Sequence, residues 1–182
     1  GDFTAADGAN GNYICWWDGS AFKSFTDLGA VELNRTVYSI DINPNGTIII
    51  GGDFTKAGGN PNADYVAAWR GNNWGALWAG GVNNDVYNIY CADNGDIYLV
   101  GFFTQAGNLI LPDKIVKSVQ GAYQPLDINL PGNVPVHIII EASDGSFYIG
   151  GNFSTISSGE NAIAAGAVDL NVSSGSANTY PF

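Results

Sequence analysis

The sequence has little of what most enzymes and metalloproteins use: its 182 residues include one histidine, two cysteines and no methionine. The single histidine, His137, lies in an apolar run and is interpreted as a polar residue at a strand end, because no second histidine can join it in a general-base or metal set. The sequence also has no Cys-x-x-Cys pair and no phosphate-binding glycine loop before a helix. We therefore predict a protein that is not an enzyme, with no catalytic residues, no metal site and no cofactor.

Basic residues are scarce as well. Six Lys and Arg face 17 Asp and Glu, which gives a net charge of −11. Such a surface repels phosphate backbones and anionic lipid. The longest apolar stretches have the length of a strand and are too short to cross a bilayer. The sequence therefore predicts no nucleic-acid partner and no membrane span.

Helical periodicity is the third absence. No window shows sustained apolar spacing at i, i+3, i+4 and i+7. Only 13% of the residues are charged and 25 are glycine, a composition that suits many short strands joined by tight turns. Since 46% of the residues are apolar, the chain can bury a core, and we predict an all-β domain.

What the sequence does contain is a repeat. A short glycine motif occurs four times, and its first glycines lie 51, 49 and 50 residues apart. A period of about 50 residues is typical of stacked or circular repeat folds. The copies are Gly1-Asp2-Phe3-Thr4, Gly52-Asp53-Phe54-Thr55, Gly101-Phe102-Phe103-Thr104 and Gly151-Asn152-Phe153-Ser154. We interpret these motif residues as structural, because the glycines permit a bulge or the close approach of a neighbouring backbone.

Each motif copy stands in the same order of elements. An alternating apolar strand, called a, precedes an Asn-Gly or Asp-Gly pair, which predicts a tight hairpin with positive φ at both central positions. Strand b then runs into the glycine motif, and a polar loop leads to strands c and d. For the best copy the predicted strands are 37–42, 47–54, 65–70 and 73–78. The unit is predicted to be a four-stranded antiparallel meander.

A sheet of this size cannot bury both faces alone, so neighbouring repeats must stack, and a closed ring would cover the ends. We predict one β-propeller segment over 1–182, with a partial blade at 1–29 and blades at 37–78, 86–128 and 136–182. This amounts to about three and a half blades of about 50 residues. Since the chain has no methionine and begins within a motif, we expect it to belong to a larger ring. The missing strands would come from the rest of the parent chain or from another subunit.

The pattern resembles Kelch-type and galactose-oxidase-like propeller repeats. It is most similar to the Gly-Gly-x-Phe-Thr propeller repeats of bacterial surface proteins and phage structural proteins. The residues that carry the resemblance are Gly51-Gly52-Asp53-Phe54-Thr55, Ala67-Ala68-Trp69 and Trp74. The resemblance implies an extracellular, cell-surface or virion location. It does not bring a copper site, because the second histidine is missing, and Val119 stands where the repeat has Trp69.

Cys15 and Cys91 fall in different strand types about one and a half repeats apart, which argues against a disulfide. We interpret both as buried free thiols.

The segments best placed for recognition are the b–c and d–a loops, because loops on a rigid repeat scaffold share one face. The candidate ligand-binding residues are Lys56, Asn62, Asp64, Asn84, Asp85, Gln105 and Asp113. We predict a non-catalytic scaffold or recognition module that mediates assembly and binds a protein or a glycan.

The alternative is a carbohydrate-active propeller, either a lectin or a glycosidase. Paired carboxylates among the loop acids Asp53, Asp64, Asp85 and Asp113 could hydrolyse a glycoside, although acids in such loops usually form turns. Recurrent aromatic residues could stack on sugar rings, although their equivalent strand positions favour packing between blades. They are Trp16, Trp17, Trp69, Trp74, Trp78, Tyr87, Tyr90 and Tyr98.

Overall fold

The structure is a computed structural model that describes residues 1–77, 80–112, 114–126, 128, 130 and 134–153, and the strand backbone at 167–171 and 176–178. The first 33 residues hold two small hairpins and one 3-10 turn. The hairpins pair β1 (Ala5–Ala6) with β2 (Ala9–Asn10) and β3 (Trp16–Trp17) with β4 (Phe22–Lys23), and the turn is Phe25–Leu28.

Three four-stranded antiparallel sheets follow, so the prediction of an all-β chain built from four-stranded meanders is confirmed. Sheet I contains β5 (Val37–Ile42), β6 (Ile48–Gly52), β7 (Val66–Trp69) and β8 (Trp74–Gly75), with a 3-10 turn at Ala57–Gly59. Sheet II contains β9 (Val86–Cys91), β10 (Ile97–Gly101), β13 (Ile115–Val119) and β14 (Ala122–Pro125). Between β10 and β13 lies a small hairpin of β11 (Gln105–Ala106) and β12 (Leu109–Ile110). Sheet III contains β15 (Val136–Glu141), β16 (Phe147–Gly151), β17 (Ala167–Asn171) and β18 (Ser176–Asn178).

The a–b turns differ from the predicted two-residue hairpins. In sheet I the N–H of Gly46 donates to the carbonyl of Asn43 at 2.7 Å, which closes a four-residue turn. Only the glycine has positive φ, at 84°, and the preceding Asn45 does not. The turns that end at Gly95 and Gly145 repeat this geometry. The prediction of positive φ at both central residues was therefore wrong, because a longer turn needs the left-handed conformation only at its last residue.

The motif glycines meet a close backbone approach. A Cβ atom on Gly52 would lie 2.0 Å from the carbonyl oxygen of Thr36, and one on Gly101 would lie 2.0 Å from that of Asp85. Gly151 meets the carbonyl of Pro135 in the same way, at 2.5 Å. A register shift beside each of these glycines marks a bulge in the a–b pairing. Two features therefore favour glycine at this motif position: a side chain has no room there, and the a–b pairing bulges there.

Strand register corrects one sequence alignment. Trp69 pairs with Trp74, and in sheet II the matching pair is Ser118 with Tyr123. Ser118, and not Val119, therefore stands where the repeat has Trp69.

The apolar core lies between neighbouring sheets and not within one of them. One cluster joins residues 14–33 to sheet I, a second joins sheet I to sheet II, and a third joins sheet II to sheet III. The motif phenylalanines Phe54, Phe103 and Phe153 are buried in these three clusters. Each sheet is therefore stabilised mainly by its neighbours. None of the helices in the described part of the chain is long and apolar enough to span a membrane.

Candidate functional site

The Thr of the glycine motif is held by an asparagine that precedes strand a. The Asn34 side chain donates to Thr55 Oγ1 at 2.9 Å and accepts from the Thr55 N–H at 2.9 Å. Asn83 makes the same reciprocal pair with Thr104, at 2.9 and 2.8 Å. Sequence reasoning missed these asparagines, although their 49-residue spacing follows the repeat and was available as a signal. The motif Thr is therefore held through both its side chain and its backbone N–H; Ser154 of the last copy lies outside the described residues.

Neighbouring sheets are joined by hydrogen bonds between their a strands. Ser39 Oγ accepts from the N–H of Ile89 at 3.0 Å, and Asn88 Oδ1 accepts from the N–H of Ile139 at 3.0 Å. Ser39 and Asn88 hold equivalent positions, so the interface between sheets I and II is repeated between sheets II and III. The a strands lie side by side and are linked by side chains, and none of their described residues forms a strand pair with another sheet.

The two outer a strands each expose a row of apolar side chains. Facing away from sheet II, Ile40 and Ile42 are 52% and 60% exposed. The counterpart of Ile40 on the inner strand, Ile89, packs against sheet I and is only 4% exposed. On the opposite side of the array, Ile138 and Ile140 are 48% and 51% exposed. The chain thus presents an uncovered edge at each end of its described a strands.

The loop face brings together three of the seven predicted ligand residues. Asn62, Asp64 and Gln105 line a shallow groove of about 210 Å³ together with Asn83. The groove is closed by backbone bonds between two loops: the N–H of Asn83 donates to the carbonyl of Gln105 at 3.1 Å, and that of Gly107 to the carbonyl of Gly81 at 2.9 Å. The b–c and d–a loops therefore meet on one face.

The other predicted ligand residues are placed differently. Lys56 is exposed in a left-handed conformation, and its backbone N–H donates to Asp64 Oδ1 at 2.7 Å. Asn84 accepts from the N–H of Asp85 at 2.9 Å. Asp113 lies outside the described residues.

Asp85 lies within electrostatic range of Asp53, and Arg35 forms an ion pair with Asp53. Arg35 Nη1 is 3.4 Å from Asp53 Oδ2, while Asp53 Oδ1 is inaccessible to solvent and makes no hydrogen bond. Partial burial and the charge of Asp53 raise the pKa of Asp85. Arg35 is therefore paired with Asp53, while Asp85 feels the like charge of its neighbour.

An aromatic row crosses the three a strands beside these carboxylates. The rings of Tyr38 and Tyr87 are 5.7 Å apart, and the His137 ring stacks on Tyr87 at 5.0 Å with an interplanar angle of 20°. Burial, followed by the charges of Asp53 and Asp85, raises the pKa of Tyr38. His137, predicted to lie at a strand end, is the second residue of β15 and forms part of this row.

The remaining aromatic residues divide between core and surface. Trp74 and Tyr98 are buried, and Trp69 stacks edge-on against Trp74 at 5.2 Å. Trp16 and Trp17 are exposed, and Trp78 lies outside the described residues.

Both cysteines are free thiols, as predicted, but both are only half-buried. In the described part of the chain no three His, Cys, Asp or Glu side chains are grouped closely enough to hold a metal ion.

No protein-family model matches the chain. A search of curated proteins also found no significant match.

Proposed function

We propose that the chain is a non-catalytic segment of a β-propeller that serves as a rigid assembly and recognition module on a cell surface or a virus particle. Its sheets act as blades, and the array is completed by further strands from the parent chain or from another subunit. The proposed location follows from the repeat resemblance, and the acidic surface suits an exposed particle that must stay in solution.

The observation that carries this proposal is the repeated hydrogen bond between a strands. Ser39 Oγ to the Ile89 N–H and Asn88 Oδ1 to the Ile139 N–H fix two successive interfaces with one geometry. An interface that is repeated with the same geometry rotates each sheet by a similar amount relative to the last, which is how a repeat array curves into a ring. The side-by-side a strands then line the axis.

The uncovered rows support the assembly role. Ile40 occupies the position that is buried as Ile89 and Ile139 in the other two sheets. Fully burying an exposed isoleucine contributes about 1.5–3 kcal/mol, and these side chains are about half exposed, so covering each one would contribute roughly half of that and would favour another sheet at either end of the array.

Sedimentation velocity of the 182-residue chain at micromolar concentration tests the proposal. The chain should associate with rising concentration, and Ile40→Asp or Ile140→Asp should shift it towards the monomer. Ile110→Asp is the matched control, because Ile110 is 71% exposed on the small hairpin away from both rows. A sharp monomer peak for the unaltered chain, or equal association of all three variants, would contradict the assembly role.

A further inference from the structure

At the end of the sheets that carries the a–b turns, each pair of neighbouring sheets leaves a groove. The groove between sheets I and II has a volume of about 430 Å³, and the groove between sheets II and III about 820 Å³. Both fall within the roughly 300–1,000 Å³ of typical small-ligand sites. This end lies opposite the loops that sequence reasoning selected for recognition.

The strand register allows the two grooves to be compared position by position. In the first, the positions at the interface hold short or aliphatic side chains for the most part; in the second they hold three aromatic rings, an ammonium group and a carboxylate. The equivalent pairs are Asp41 and Tyr90, Ile49 and Tyr98, Ala68 and Lys117, Cys91 and Glu141, and Ile97 and Phe147. Sheets I and II pack together with the smaller side chains of the first groove. Packing alone therefore does not explain the larger and more polar side chains of the second groove.

The rings of Tyr90, Tyr98 and Phe147 form one wall of the larger groove, the tyrosine groove. Tyr98 and Phe147 are buried with their ring centroids 4.6 Å apart, and the half-buried Tyr90 ring meets Phe147 edge-on at 5.9 Å. The Tyr90 hydroxyl donates to Glu141 Oε2 at 2.7 Å. Tyr90 is thus held in place from the opposite sheet while part of its surface stays accessible.

The rim of the tyrosine groove carries hydrogen-bonding groups of both kinds. Lys117 Nζ lies 2.8 Å from Asp96 Oδ2 and 5.5 Å from the Tyr98 ring centroid, so its charge is balanced inside the groove. Asp93, Ser143 and Asp144 are exposed on the two turns that flank the opening. With Glu141, these groups leave an acidic rim that repels anions.

We propose that the tyrosine groove binds a neutral oligosaccharide, with a sugar ring against Tyr90 and its hydroxyl groups bonded to Glu141, Ser143 and Asp144. An accessible aromatic ring provides a flat apolar surface for a sugar ring. Carboxylates accept strong hydrogen bonds from hydroxyl groups, and the serine can both donate and accept. This site goes beyond the assembly role and does not depend on it.

The test is a titration of the full chain with maltotriose, cellotriose, triacetylchitotriose and N-acetyllactosamine, followed by saturation-transfer NMR. At least one probe should bind with a dissociation constant of about 1 mM or tighter. Ser143→Trp fills the opening from an exposed turn and should abolish binding, and Tyr90→Ala should weaken it at least tenfold. Tyr90→Phe keeps the ring and should still bind, and if the alanine variant fails to fold, Ser143→Trp decides the test. Arg70→Ala, in the groove between sheets I and II, is the matched control and should bind normally.

Two results would overturn the proposal. One is that no neutral probe binds, or that only the cationic probe spermidine does. The other is that binding is unchanged in Ser143→Trp, or unchanged in a folded Tyr90→Ala. Association in the sedimentation experiment is read independently, so failure of the sugar site and failure of the assembly role can be told apart.

Discussion

Ser39 Oγ accepts a hydrogen bond from the backbone N–H of Ile89 at 3.0 Å, and this buried contact joins two sheets across a separation of 50 residues. A strand at a sheet edge leaves N–H groups unpaired, and in this chain the adjacent sheet supplies their acceptors. Asn88 fills the same role one repeat later with Ile139. The contact therefore both satisfies an edge strand and sets the geometry between sheets.

Removing this acceptor should destabilise the fold. Ser39→Ala leaves the Ile89 N–H buried without a partner, which costs about 1–3 kcal/mol. The measurement is urea unfolding followed by tryptophan fluorescence. Ser143→Ala, on an exposed turn, is the control and should change the free energy of unfolding by less than about 0.5 kcal/mol. Equal stability of the two variants would show that the contact does not hold the sheets together.

The motif glycines should not tolerate a methyl group. In Gly101→Ala the new Cβ would lie 2.0 Å from the Asp85 carbonyl oxygen, so the backbone must move and break the a–b bulge. We expect a loss of more than about 3 kcal/mol, or failure to fold. Gly75→Ala provides a control within a strand, because its nearest neighbour would be Arg70 Cγ at 3.5 Å. Thermal unfolding of both variants measures the difference, and similar melting temperatures would refute the steric explanation.

The asparagine before strand a should matter as much as the motif Thr. Asn83→Ala removes both bonds to Thr104 and should cost about 1–2 kcal/mol. Asn83→Asp keeps an acceptor for the Thr104 N–H and should lose less. If urea unfolding ranks the aspartate variant below the alanine variant, the reciprocal pair is not the source of the stability.

Cys91 should react slowly at moderately alkaline pH. Burial, followed by the charge and hydrogen bond of Asp41, raises the pKa of the Cys91 thiol to about 12 from its ordinary 9.0. The folded state therefore holds the proton more tightly, so any stabilisation from the neutral thiol is complete below pH 9 and is lost as the pH rises towards about 12.

Iodoacetamide labelling in a Cys15→Ser background measures this effect. At pH 9 the folded protein should react at least about tenfold more slowly than the protein unfolded in urea, because the thiolate is the reactive form. Equal rates would mean that Cys91 is not shielded in this way.

The repeat made much of the fold predictable. The alternation of apolar and polar side chains was enough to locate the a strands at Val37–Ile42 and Val86–Cys91. It marks these strands because one face of each packs against a neighbouring sheet. The fourth strand of sheet I was predicted at 73–78; within the described residues 73–77 the strand is Trp74–Gly75, and residue 78 lies outside the described part, since short edge strands are governed by pairing and not by composition.

The sites were less predictable than the strands. Ser118 and Trp69, like Tyr90 and Asp41, lie 49 residues apart, which is the spacing of Gly52 and Gly101, so the sequence held this signal, and the strand register brought it out. The b–c and d–a loops were predicted to bind a ligand because binding residues often lie on loops. The tyrosine groove is instead built from strand residues and turns at the other end of the sheets. Comparing repeats column by column, once the register is known, is what exposes the difference.

Photo-cross-linking from position 40 tests the central claim most directly. With p-benzoylphenylalanine in place of Ile40, irradiation of the associated chain followed by mass spectrometry identifies whatever covers the exposed a strand. The propeller account predicts cross-links to an a or b strand of another copy, above all to β15 or β16. Cross-links confined to unrelated surfaces, or none from a chain that does associate, would contradict assembly through these strands.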